Sequence, residues 1–86
     1  MNYSIKLKNI IDKYKVNLYN EIEFQDALSS IISMITEYEY SEFRDYLQSL
    51  EGELERINYL VDKENRKDKY LEIIARIEEL QNRMIL

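Results

Sequence analysis

The ionisable side chains of this 86-residue chain are carboxylates, lysines, arginines and tyrosines, because it contains no His and no Cys. Histidine is the commonest general base and metal ligand in proteins, and cysteine supplies thiol nucleophiles and disulfides. Serine hydroxyls such as that of Ser29 therefore have no histidine to activate them. These absences predict a protein that binds rather than an enzyme, and neither a cofactor nor a metal ion is expected.

Clustered carboxylates are the remaining route to chemistry, and several fall between positions 37 and 45. Glu37, Glu39, Glu42 and Asp45 offer the oxygen ligands that Mg²⁺ or Ca²⁺ prefers, but their spacing does not match an EF-hand loop. A pair of carboxylates can also hydrolyse a glycosidic bond, provided that a cleft holds the sugar between them. A helical chain of this length has little volume for such a cleft. We therefore expect neither a metal site nor glycosidase activity.

The same stretch interleaves acidic and aromatic side chains, which is typical of a protein interface. Tyrosine brings a large contact area at low entropic cost, and surrounding carboxylates would select a basic partner and speed its encounter. The residues expected to bind a partner are Glu37, Tyr38, Glu39, Tyr40, Glu42, Asp45, Tyr46 and Glu53. A competing interpretation places Tyr38, Phe43 and Tyr46 in the core and assigns the glutamates to the capping of a helix.

The net charge of −5 conceals a strong segregation along the chain. Residues 1–20 carry four lysines against one aspartate, a net charge of +3. Residues 21–55 carry ten acids against Arg44 alone, which gives −9, and residues 56–86 carry seven bases against six acids, which gives +1. The negative charge is therefore concentrated around the acidic and aromatic stretch.

The scarcity of turn formers favours an all-α fold, since the chain contains one Gly and no Pro. Apolar residues recur at steps of three and four, the spacing of one helical face, and Leu18, Tyr38 and Met84 end three of these stripes. The helical segments cover about 3–18, 21–38, 42–62 and 66–84. Short polar links favour antiparallel neighbours, so we predict a small antiparallel bundle of four helices that forms one domain over residues 1–86.

Capping signals mark the starts of the second and third helices. Asn20 is followed three residues later by Glu23, which is the sequence of a capping box. Ser41 is a good N-cap for the third helix, with acidic residues following it near the positive end of the helix dipole.

The third helix carries the longest apolar stripe, from Phe43 to Val61, and the stripe keeps its phase through Gly52. We therefore predict one continuous helix there, with a break near Gly52 or a close approach of another helix as the alternatives. Residues 62–69 are charged where the stripe would continue, which predicts a solvated turn, with Asn65 capping the fourth helix.

Nothing in the sequence indicates a membrane or a nucleic acid as the main partner. No apolar run approaches the ~20 residues of a membrane helix, and the absence of a signal-peptide core predicts a cytoplasmic location. The lysines of residues 6–15 could contact phosphates, but a pI of about 4.7 argues against nucleic acid as the main ligand.

One short segment resembles a known family. Tyr19-Asn20-Glu21-Ile22-Glu23-Phe24, leading into Leu28-Ser29-Ser30-Ile31-Ile32, is similar to the Tyr-x-Glu-x-Glu-Phe entry into the second helix of the colicin and pyocin immunity proteins. The resemblance covers about 15 of the 86 residues and implies a bacterial four-helix inhibitor that binds a secreted nuclease beside its active site. The Tyr-Tyr-Pro turn of that family is absent, so no binding residue is carried over.

Three functions are compatible with these patterns. The first is a stoichiometric inhibitor or immunity protein that presents an acidic, tyrosine-rich helical face to a basic partner such as a nuclease toxin. The second is a structural or adaptor protein that forms a homodimer through the heptad seam of its third helix. The third is a phage-type inhibitor that mimics the charge of nucleic acid.

Overall fold

A computed structural model describes residues 2–83, and these residues form four α-helices and no strand. The elements are α1 (Tyr3–Lys15), α2 (Glu21–Met34), a 3₁₀ turn (Tyr38–Tyr40), α3 (Ser41–Leu60) and α4 (Lys63–Arg83). Each helix packs on the next in the chain, and α2 also contacts α4. The predicted all-α bundle is confirmed.

Most of the core comes from the apolar stripes that the sequence predicts. The buried side chains are Tyr3, Leu7, Ile10, Ile11, Tyr14, Phe24, Leu28, Ile31, Ile32, Ile35, Phe43, Leu47, Leu50, Leu54, Tyr70, Ile73, Ile74 and Ile77. Each fully buried aliphatic or aromatic side chain stabilises the fold by about 1.5–3 kcal/mol. Ile57 and Val61, at the end of the α3 stripe, are only partly buried, so the seam ends before the helix does.

Buried tyrosines connect the helices through their hydroxyl groups. Tyr14 and Tyr70 have ring centroids 5.6 Å apart, and the ring of Phe24 lies 5.3 Å from that of Tyr14. The Tyr70 hydroxyl donates to Asn58 on α3 at 3.0 Å, and the Asn58 amide donates to Gln25 on α2 at 2.9 Å. Each ring thus fills the core while its hydroxyl reaches a polar partner nearer the surface, which avoids an unsatisfied buried group.

The α1 helix ends at Lys15, three residues before its predicted end. Asn17 has a φ of 65°, and its amide donates to the Tyr14 carbonyl while the Leu18 amide donates to the Lys13 carbonyl. This is the Schellman arrangement, and Asn tolerates the left-handed conformation that it requires. The expectation that Leu18 lies in the core is therefore wrong, since its side chain is 69% exposed.

The α2 helix begins as predicted but ends early. Asn20 and Glu23 form both hydrogen bonds of the capping box. Ile35 leaves the helix with an extended backbone (ψ 96°) yet remains buried. Because the chain leaves the helical conformation at Ile35, Tyr38 does not lie on the buried face. The predicted end of the second helix at residue 38 is therefore wrong, and so is the interpretation that places Tyr38 in the core.

The α3 helix is continuous through Gly52, as predicted. A Cβ atom placed on Gly52 would meet no atom within 4 Å, so no close helix approach explains this glycine. Ser41 is the first helical residue and not the N-cap, because the 3₁₀ turn runs directly into α3. Tyr40 occupies the N-cap position and makes no side-chain capping bond.

The α4 helix begins at Lys63, so the predicted turn over residues 62–69 is wrong. Asn65 lies inside the helix and does not cap it, and its amide donates to the Asp62 carbonyl at 2.9 Å. The run of Lys, Glu and Arg is the solvated start of the helix, because these residues have good helix propensity. The predicted end at Met84 lies outside the described residues.

Candidate partner-binding surface

The α2–α3 junction, residues 35–40, carries the centre of the predicted partner-binding set. Ile35 is buried and Tyr40 is partly buried against the core, so both ends of the junction are held by packing. Tyr38 and Glu39 lie between these anchors and point into solvent. The Tyr40 amide donates to the Glu37 carbonyl at 3.1 Å, which closes the 3₁₀ turn.

Glu37 is bound by a tyrosine that lies 34 positions away in the chain. The Tyr3 hydroxyl on α1 lies 2.9 Å and 2.8 Å from the two carboxylate oxygens of Glu37. Since a hydrogen bond to the charged form favours it, Tyr3 lowers the pKa of Glu37. The same bond, together with partial burial, raises the pKa of Tyr3.

Tyr38 is the most exposed large side chain of the junction, at 93%. It lies between Glu37 and Glu39 in the chain and four positions before Glu42, whose side chain is also exposed. Within residues 2–83, neither Glu39 nor Glu42 forms an ion pair. We call Glu37, Tyr38, Glu39 and Glu42 the junction surface.

Of two more predicted residues on α3, Asp45 extends this surface and Tyr46 does not. Asp45 is exposed one turn after Glu42 and pairs with the adjacent Arg44 at 3.3 Å. Tyr46 is 38% exposed and, unlike Tyr38, faces α4, where it lines a shallow groove with Leu80. Of the aromatics assigned to the core by the competing interpretation, only Phe43 is fully buried.

Glu53 does not join the junction surface. It lies 12 positions after Ser41 in α3, which corresponds to about 18 Å along the helix axis. Both of its carboxylate oxygens accept from the Arg76 guanidinium at 3.1 Å, and this pairing raises the pKa of Arg76. Glu53 is therefore positioned to link α3 to α4. The prediction that Glu53 and Tyr38 contact the same partner is not favoured by this geometry.

Much of the negative charge of residues 21–55 is not neutralised locally. Among the described residues, only Asp45 and Glu53 of the ten acids form ion pairs. Glu21 and Glu37 accept from buried tyrosine hydroxyls, and Glu23 accepts from the capping amide. The remaining acids are Asp26, Glu39, Glu42, Glu51 and Glu55. Residues 21–55 therefore carry uncompensated negative charge, which would attract a basic surface.

The opposite end of the bundle carries exposed apolar side chains that sequence reasoning missed. They lie at the α1–α2 and α3–α4 turns, and they are Val16, Leu18, Ile22, Tyr59 and Leu60. Tyr59 is 88% exposed and Leu60 is 80% exposed. The sequence did indicate that Tyr59 could be exposed, because Tyr59 falls outside every apolar stripe. The stripes do not show where a helix ends, so they could not place these residues at the turns.

The described residues contain no group of three or more acidic side chains arranged to hold a metal ion. No helix within residues 2–83 is long and apolar enough to cross a membrane. Comparisons of the chain with protein-family models, curated proteins and solved structures return no significant match.

Proposed function

We propose that this protein is a non-catalytic protein-binding module whose junction surface binds a basic partner. The observation that carries the proposal is the nearly complete exposure of Tyr38 beside Glu39 and Glu42, which form no ion pair within residues 2–83. A tyrosine in this position loses little entropy when a partner covers it, and its ring offers a large contact area. The proposal places the module in the cytoplasm, which cell fractionation would test.

A nuclease toxin is the partner class that the charge favours. Enzymes that act on nucleic acids carry positively charged surfaces that bind phosphates. An acidic face such as that of α2 and α3 would be attracted to such a surface at long range, and its exposed aromatic would then pack at short range. The protein would thus act as a stoichiometric inhibitor, the role that the resemblance to immunity proteins implies.

Binding to purified nuclease domains tests this proposal. A panel of catalytically inactivated basic nuclease domains would be immobilised, and association of the wild-type protein measured by biolayer interferometry at two salt concentrations. The double variant Tyr38→Ala, Glu39→Lys should bind more weakly by more than about ten-fold, equivalent to about 1.4 kcal/mol. Higher salt should slow association of the wild-type protein.

A matched control variant is available at the other end of the bundle. Tyr59→Ala with Glu64→Lys changes the same residue types and the net charge by the same amount, at a second exposed tyrosine and outside the acidic residues 21–55. It should bind within about two-fold of the wild-type protein, because surface changes away from the contact are nearly neutral. Equal losses in both double variants would show attraction by net charge alone and would refute the junction surface as the binding site.

Self-association is the second candidate function, favoured by the exposed apolar residues at the turns of α1–α2 and α3–α4. The predicted dimer through the α3 seam is not supported, since Phe43, Leu47 and Leu50 pack against the chain's own helices. A dimer would instead cover Tyr59 and Leu60, which expose most of their apolar area. Light scattering on wild-type protein and on Leu60→Glu tests this candidate, and a monomer at high concentration would exclude it.

A further inference from the structure

We infer that Tyr3 is the positioning residue of the junction surface, so that helix α1 controls how Tyr38 is presented to a partner. This inference rests on the proposed function for its consequence in binding. Its structural basis is a single side chain that contacts both ends of the segment between α2 and the 3₁₀ turn. Tyr3 itself lies below the surface, at 4% exposure, and would not touch a partner.

The Tyr3 hydroxyl contacts the residues that flank this segment on either side. It lies 3.0 Å from the carbonyl oxygen of Met34, the last residue of α2, and 2.8 Å from a carboxylate oxygen of Glu37. The final carbonyls of a helix have no partner within the helix. The phenol carries one proton, which the Met34 carbonyl and the Glu37 carboxylate share, so the hydroxyl is within hydrogen-bonding distance of the helix terminus and of Glu37. One phenol therefore fixes the exit of α2 and the entry to the 3₁₀ turn.

The Tyr3 ring supports the far end of the junction. Its centroid lies 6.0 Å from that of Tyr40, at an interplanar angle of 84°, which is the edge-to-face arrangement that aromatic pairs favour. Tyr40 is the third residue of the turn that Tyr38 begins. The rotation of that turn, and with it the direction of Tyr38, is thus set by contacts with Tyr3.

Few other contacts hold the same segment. Besides Tyr3, the carboxylate of Glu37 interacts with the backbone amides of Thr36 and of Glu37 itself, which are local contacts, and the 3₁₀ turn has no side-chain cap. Thr36 is exposed. The orientation of the junction surface therefore depends on the Tyr3 hydroxyl and ring together with the burial of Ile35. A segment that is already ordered in the free protein binds more tightly, because the entropic cost of ordering it is not incurred on binding.

Tyr3→Phe separates positioning from folding, because the ring remains in the core and only the hydroxyl is lost. Amide hydrogen exchange measured by NMR should become faster by about ten-fold in this variant at the Tyr40 amide, whose hydrogen bond to the Glu37 carbonyl closes the turn. Tyr70→Phe is the matched control, since it removes a buried hydroxyl that bonds to Asn58, away from the junction. It should leave exchange at residues 37–40 unchanged.

A conservative change at Glu37 provides a second readout. Glu37→Gln retains a side-chain oxygen that can accept from Tyr3, whereas Glu37→Ala does not. The Gln variant should keep slow exchange at the junction, and the Ala variant should match Tyr3→Phe. A wild-type exchange rate at the Tyr40 amide in Tyr3→Phe or in Glu37→Ala would overturn the inference.

Binding to the nuclease panel then distinguishes the two proposals. If Tyr3 positions the surface, Tyr3→Phe should weaken binding by about three- to ten-fold while Tyr70→Phe does not. Faster exchange with no binding by any variant, wild type included, would refute the proposed function and leave the structural role of Tyr3 in place. Faster exchange with full binding would overturn the claim that Tyr3 controls the presentation of Tyr38.

Discussion

The hydroxyl of Tyr14 donates a 2.7 Å hydrogen bond to the carboxylate of Glu21, across the turn that joins α1 to α2. Tyr14 is fully buried, whereas Glu21 is the first residue of α2 and only partly buried. The bond therefore connects a core ring to a helix N-terminus, where a carboxylate is also favoured by the helix dipole. Similar links from Tyr3 and Tyr70 make the tyrosine hydroxyls a repeated means of joining neighbouring helices.

Alkaline pH should destabilise the fold through these phenols. Burial raises the pKa of Tyr70 to about 12, and burial followed by the bond to Glu21 raises the pKa of Tyr14. Since the folded state holds these protons more tightly than the unfolded state, the stability they contribute is present below pH 10.0 and decreases as pH rises towards 12. Urea denaturation at pH about 9 and about 11 measures this loss.

Tyr70→Phe is the control for this prediction, because it removes one of the titrating groups and keeps the ring. The decrease in unfolding free energy between the two pH values should be smaller in Tyr70→Phe than in the wild-type protein. Equal stability of the wild-type protein at both values would contradict the raised pKa of the buried phenols.

Acid pH should weaken the contact between Tyr3 and Glu37. The pKa of Glu37 is lowered from 4.5, chiefly by the Tyr3 hydrogen bond, so its contribution to stability is present above pH 4.5 and is lost as pH falls through the lowered value. Carbon-13 NMR of the carboxyl group measures the pKa directly. Tyr3→Phe should raise the pKa towards 4.5, and Tyr70→Phe should leave it unchanged.

Gly52→Ala should stabilise the protein. Gly52 lies within the 20-residue helix α3, and a Cβ atom at this position meets no atom within 4 Å. Alanine in a helix interior is favoured over glycine by about 1 kcal/mol, and urea denaturation measures the gain. Ser49→Ala, one turn earlier, should give a smaller gain. A loss of stability in Gly52→Ala would show that α3 is not a regular helix at this point.

Glu53→Gln should affect the α3–α4 contact and not the junction surface. The Glu53–Arg76 pair is partly exposed, at 36% and 46%, so solvent screening limits its contribution to less than about 1 kcal/mol. A double-mutant cycle with Arg76→Gln measures that coupling by urea denaturation. Nuclease-panel affinity should remain within about two-fold. A ten-fold loss of affinity in Glu53→Gln would place Glu53 in the binding surface after all.

The sequence predicts the helices better than it predicts their ends. Phe24, Leu28, Phe43 and Leu47 are buried as their spacing indicates, because a helix that packs on one side must repeat apolar residues every three or four positions. Leu18 continues the same spacing and is exposed, since the Schellman turn at the end of α1 redirects the chain before that position. Periodicity does not show where such a turn intervenes.

The candidate site, too, could be predicted only in part from the sequence. The acidic and aromatic composition of residues 37–42 identifies the junction from sequence, but it cannot distinguish the exposed Tyr38 from the partly buried Tyr40. Nor can it show that Tyr3 contacts Glu37, because the two residues are 34 positions apart and neither belongs to a recognisable motif.

By itself, the sequence determined a helical chain with four apolar faces, a capping box at Asn20, a concentration of negative charge in residues 21–55 and the absence of His and Cys chemistry. These are local or compositional properties, fixed by side-chain type and spacing. Tertiary structure alone decided that Tyr38 is exposed, that Glu53 pairs with Arg76 and that Tyr3 holds the junction. The physical reason is that these three outcomes depend on which helix faces which, and packing of the whole core sets that arrangement.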